Sequence, residues 1–138
     1  MKSIKVLLAL LTIIVAAACG STKNASGFTI LKQEATGGAT TESTVLVNTK
    51  SELTALYKQL NVATLPKVDF KKQSVAVLFM GQKPTGGYAI TVTEVAIDKE
   101  KKAIITVARS KPDGMAVTMI TQPYCVVLIP KANTLEIK

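Results

Sequence analysis

Two thiols and nine carboxylates are the side chains of this 138-residue chain that could do covalent or acid–base chemistry, and no histidine stands beside them. Without an imidazole there is no Ser-His-Asp or Cys-His relay, and the commonest metal ligand is missing too. The carboxylates are isolated in sequence and make no Asp-x-Asp calcium-loop pattern. An acid/base carboxylate pair would have to be assembled by the fold. Cys125 lies inside the apolar run Tyr124-Cys125-Val126-Val127-Leu128, where a thiol behaves as a small buried hydrophobe. The sequence therefore predicts no enzyme, no metal site and no cofactor. The thiol with a chemical context is Cys19.

Lys2 and Lys5 form a positive n-region, Val6 to Val15 an apolar h-region, and Ala16-Ala17-Ala18 a small-residue stretch ahead of Cys19-Gly20-Ser21. This arrangement resembles a bacterial lipoprotein precursor, with Ala16 where a Leu is usual. The resemblance implies a diacylglyceryl group on the Cys19 sulfur, cleavage before Cys19 and acylation of the new amine. Residues 1–18 are then a signal peptide and the protein is exported and held on a membrane by its lipid. With Gly20, not Asp, after the lipidated residue, the outer membrane is favoured in a two-membraned cell. Val6 to Ala18 is too short for a membrane span of about 20 residues. The competing reading is a plain secretory signal cut after Ala18.

With Lys2 and Lys5 removed, the 17 basic residues fall to 15 against 9 acidic ones, a charge of +6. One arginine accompanies scattered lysines, with short clusters at Lys71-Lys72 and Lys99 to Lys102. Nucleic-acid readers rely on Arg and on aromatics set beside basic residues, so nucleic acid is not an expected partner. A basic face near anionic lipid headgroups accounts better for the lysines. Commitment of Cys19 to lipid leaves Cys125 unpaired, so packing alone must stabilise the fold.

Residues 19–27 should be a lipidated cysteine and a flexible tether, GSTKNASG spanning on the order of 15 Å r.m.s.. Residues 28–138 should be one β-rich domain. Phe28–Gln33 and Ser43–Asn48 read as strands around a loop at 35–42. Leu53, Leu56, Tyr57 and Leu60 recur at helical spacing, so the one amphipathic helix should cover about Lys50–Leu60. Thr49 and Glu52 fit a capping box, and Asn61 a stop. Val75–Met80 is apolar on both faces, as in a central strand covered on two sides. Ile90 and Val92 differ in parity from Val95 and Ile97, which requires a bulge or change of face near Glu94. A polar turn at 98–102, strands at 103–109, 115–120 and 124–129, and a short one at 135–137 complete a mainly β or α+β fold, an antiparallel sheet or sandwich.

Lys83-Pro84-Thr85-Gly86-Gly87-Tyr88 is the most sharply shaped segment: Pro84 fixes φ, while Gly86 and Gly87 permit positive φ. Its plain structural role is a hairpin connection. Pro112-Asp113-Gly114 and Gln122-Pro123-Tyr124 punctuate the same region. If alternate strand ends cluster, the three loops share a rim on which Tyr88 and Tyr124 would anchor a protein partner.

The stretch from Val68 to Lys131 resembles the PrcB C-terminal domain family, on Val68-Asp69-Phe70, the run Phe79 to Tyr88, Lys111-Pro112, and Gln122-Pro123-Tyr124 through Ile129-Pro130-Lys131. That family is named for a lipoprotein subunit of an envelope-associated protease complex. The resemblance implies a non-catalytic companion of a protease, or an envelope module of another kind. The loops also resemble those of chagasin-type cysteine-peptidase inhibitors at Lys83-Pro84-Thr85-Gly86-Gly87-Tyr88 and Gln122-Pro123-Tyr124, with Lys83 where that family has Asn. A peptidase inhibitor, and a structural envelope lipoprotein with no peptidase link, are thus the alternatives to a protease-associated binding subunit.

Overall fold

A computed structural model describes residues 27–138, so Cys19, the signal segment and all of the tether before Gly27 lie outside the described residues. Nine strands and one helix follow in chain order: β1 Thr29–Glu34, β2 Ser43–Val47, α1 Lys50–Gln59, β3 Gln73–Phe79, β4 Lys83–Thr85, β5 Ala89–Ile97, β6 Lys102–Ser110, β7 Thr118–Thr121, β8 Tyr124–Pro130 and β9 Thr134–Ile137. They form a four-stranded sheet in the order β1-β8-β3-β2, a three-stranded sheet β5-β6-β9 and a two-stranded ribbon β4-β7. Every pairing is antiparallel except β6 with β9. The expected mainly β, antiparallel fold with one helix is what the described residues adopt.

Three layers result. β3 is buried along almost its whole length because it lies inside its sheet and is covered on both faces. Ala76 and Leu78 of β3 meet Ile90, Val92 and Val95 of β5 and Ile105 of β6 on one side. Val75, Val77 and Phe79 meet Leu53, Leu56 and Tyr57 of α1 on the other. Burying one such side chain contributes roughly 1.5–3 kcal/mol, so the two apolar layers supply the stability that no disulfide provides.

Local signals set the ends of α1. The Thr49 hydroxyl accepts from the Glu52 N–H at 3.2 Å, and the Glu52 carboxylate accepts from the N–H groups of Thr49 and Asn48. At the far end Asn61 takes a left-handed φ of 57°. The Val62 N–H then reaches the Tyr57 carbonyl and the Asn61 N–H reaches that of Lys58, closing the helix with a Schellman motif.

The parity change in β5 is a bulge: register against β6 shifts between Val92 and Glu94. It lets Ile90, Val92 and Val95 all enter the same core despite their spacing. Two expectations need correction. Residues 115–117 are not strand, and β7 begins only at Thr118. The Gly86-Gly87 turn does not join hairpin neighbours, because β3 and β5 belong to different sheets and the glycines carry the chain between them after the short strand β4.

Candidate interaction surface

Strand direction gives the molecule two distinct ends. Gly27 lies beside Lys72, Gln73 and Pro130, where β3 begins and β8 finishes. At the other end β3 finishes and β8 begins, with Phe79 paired to Tyr124. All three loops singled out in the sequence are at this second end. The Met80 N–H donates to the Pro123 carbonyl at 2.9 Å and the Gly86 N–H to the Val117 carbonyl at 3.0 Å. β4 pairs with β7, and the Thr121 hydroxyl donates to the Thr85 carbonyl at 2.8 Å.

Gly87 is the hinge of the arrangement. Its φ is +87°, and a β-carbon added there would stand 2.7 Å from Cβ of Pro112, so only glycine lets the 83–88 and 112–114 loops touch. Gly86 lacks that constraint, since the nearest heavy atom to an added β-carbon is 4.0 Å away. Asp113 and Gly114 are exposed beyond the Pro112 contact.

The two tyrosines part company. Tyr88 is half-buried against the inter-sheet core, with the Lys83 ammonium 5.7 Å from its ring centroid. Tyr124 is 2% exposed and its ring lies 6.2 Å from that of Phe79, within the layer under α1. Pro123 is buried as well. Neither Pro123 nor Tyr124 can be a contact anchor. The reason is pairing: Tyr124 is the first residue of the central strand β8, and Gly38 closes over it, its N–H donating to the Gln122 carbonyl at 3.0 Å. The third loop of the inhibitor-type likeness therefore turns inward.

Exposed apolar side chains take the place that Tyr124 leaves. Met115 and Val117 in the loop and Met119 and Ile120 on β7 are each at least half exposed, Met115 fully so. They are contiguous in sequence with the Pro112 loop and share the ribbon with Lys83 to Thr85. Single exposed hydrophobes are ordinary, but four in six residues on one short ribbon make a contiguous uncovered apolar row. Alternation of Met115, Val117 and Met119 was the sequence signal for it. That pattern shows that one face is apolar, not that the face is left uncovered.

Reactive groups do not gather here or elsewhere among the described residues. Cys125 is fully buried in the inter-sheet core, and burial pushes its thiol pKa up. A hollow of 390 Å³ between β2 and α1 is lined by Val45, Leu56 and Phe79 and holds one ionisable group, Glu52. The Asn48 N–H, and with it Thr49, keeps that carboxyl below its usual pKa and occupied as a helix cap.

Neither the curated proteins nor the solved structures gave a match to this chain. The family model described as PrcB C-terminal matches residues 74–130, which run from β3 through β8 and so take in both faces of the inter-sheet core and the whole β4-β7 ribbon. Over that span the chain is similar to the PrcB C-terminal family, in agreement with the resemblance carried by its turn motifs.

Proposed function

We propose that this protein is a lipid-anchored, non-enzymatic envelope module that binds a partner protein through the β4-β7 ribbon, the partner being an envelope peptidase. The observation that carries the binding role is the uncovered apolar row Met115, Val117, Met119 and Ile120, at the end of the molecule remote from Gly27. An anchor at Cys19 would hold the Gly27 end toward the bilayer and leave the ribbon directed away from it. The ribbon would then meet a protein rather than the anchoring membrane. The peptidase is suggested by the family resemblance, which names a protease-complex lipoprotein.

In this reading Met115, Val117 and Ile120 are the buried contacts, Tyr88 with Lys83 forms the adjoining amphipathic edge, and Gly87 and Pro112 hold the loops in register. Crosslinking in intact cells followed by identification of captured proteins tests it. Val117→Lys with Ile120→Lys should abolish capture of a peptidase while the protein stays folded. Undiminished capture excludes the ribbon, and a partner set without any peptidase leaves a structural envelope role instead. Cys19→Ala should free the protein from membranes and abolish fatty-acid labelling; retention on membranes would refute the anchor.

A further inference from the structure

Lysines converge at the end of the molecule where Gly27 enters. The Lys131 N–H donates to the Lys72 carbonyl at 3.0 Å and the Asn133 N–H to the Lys101 carbonyl at 2.7 Å, which brings the turn before β3, the turn between β5 and β6, and the loop after β8 together. Lys71, Lys72, Lys99 and Lys101 are exposed there, and Lys131 is half-buried with its ammonium 3.1 Å from Oδ1 of Asn48. Nothing in the sequence places these clusters side by side, since they lie on different sheets.

Two acids of the same end, Asp69 and Asp98, keep their charge but are held by backbone N–H groups. Oδ1 of Asp69 accepts from the Lys71 N–H, and Oδ1 of Asp98 accepts from the N–H groups of Glu100 and Lys102. With Glu100 they set three carboxylates against the five lysines, so the turns keep a positive excess. Among the described residues the ion pairs are Lys32–Glu34, Lys102–Glu136 and Arg109–Glu42, so none of the five lysines makes a direct ion pair, although Lys131 lies near enough to Glu52 to help hold its carboxylate charged. Lys101 also holds a left-handed φ of 61°, a position at which glycine is the least strained residue. The far end carries the smaller excess, with Lys83 and Lys111 against Asp113 and with Arg109 paired to Glu42.

We propose that this basic end docks onto anionic phospholipid headgroups and so fixes the orientation of the domain on the bilayer. The geometry of approach rests on the lipid-anchor reading: residues 20–26 separate Cys19 from Gly27, a lead of at most about 30 Å even when fully extended. The end nearest the bilayer is then the one that carries the lysines. Headgroups attract such lysines within a Debye length of the surface, about 8 Å at physiological salt. A groove-reading nucleic-acid surface would need arginine or outward aromatic side chains; this end has no arginine in these turns, and Phe70 beside Lys71 packs against the helix-side core.

The test uses the full-length protein purified from bacterial membranes and reconstituted into vesicles of phosphatidylcholine, with or without phosphatidylglycerol. A water-soluble amine-reactive ester is applied and labelling at each lysine is read by mass spectrometry. On the anionic vesicles Lys71, Lys72, Lys99 and Lys101 should be labelled about fivefold less than on neutral ones, while Lys83 and Lys111 are labelled equally on both. High salt, or Lys71→Gln with Lys72→Gln, should restore labelling at Lys99 and Lys101, with circular dichroism confirming the fold. Equal labelling of the basic end on both vesicles overturns the proposal and leaves the anchor standing. If the protein fails to float with neutral vesicles the anchor fails. Flotation with anionic vesicles alone, lost in the Lys71→Gln/Lys72→Gln variant, would then still establish the basic surface, and flotation with neither would overturn it.

Discussion

Gly87 shows how much one residue can decide. Its left-handed φ and the 2.7 Å approach of Pro112 to a would-be β-carbon mean that Gly87→Ala must strain the backbone and push two loops apart. A loss of about 1–3 kcal/mol is expected in urea unfolding. Gly86→Ala should cost less than about 1 kcal/mol, because space is open around it. The pair separates loop geometry from simple glycine content. Cys125 gives a second residue-scale expectation. Fully buried and with its thiol pKa raised by burial, it should resist iodoacetamide at pH 8 in the native protein and react at once in denaturant. Rapid native alkylation would show that the two sheets separate readily. Both thiol burial and the glycine turn were legible from local sequence, whereas the contact of Gly87 with Pro112 joins loops far apart in the chain and was not.

At the scale of the element, α1 is the segment whose sequence and structure agree most closely. Its start, stop and buried stripe all depend on residues within five positions of a neighbour in the same set, so no distant contact was needed to find them. Thr49→Ala should lower stability by about 1 kcal/mol. Glu52 adds a pH dependence of definite sign. Its carboxyl is more acidic folded than unfolded because backbone N–H groups hold the charged form. Its contribution is therefore present above the ordinary carboxylate pKa and is lost as pH falls through the lowered folded value. The stability difference between the wild type and Glu52→Ala should shrink between pH 7 and pH 2, and a difference that persists at pH 2 would assign it to helix propensity instead. β7 is the contrary case: its apolar alternation suggested a strand from Met115, yet only Thr118–Thr121 forms strand, because β4 offers three residues to pair with and Val117 adds a single bond to Gly86.

For the whole molecule the important property is polarity, with lysines and Gly27 at one end and an uncovered apolar ribbon at the other. Val117→Lys with Ile120→Lys should leave stability within about 0.5 kcal/mol, since both side chains are already in solvent. A large destabilisation would mean that the ribbon packs more closely than its exposure shows. The amino-acid sequence determined by itself what depends on near neighbours: the absence of an imidazole, the lipobox-like context of Cys19, the capped helix, the bulge near Glu94 and the apolar central strand. Only tertiary structure decided which apolar residues are covered. Tyr124 and Ile120 stand four positions apart and carry similar apolar surface, but β8 is enclosed by β1, β3 and α1 while β7 pairs only with a three-residue strand. Burial is a property of the neighbours a strand acquires from elsewhere in the chain, and no local pattern records them.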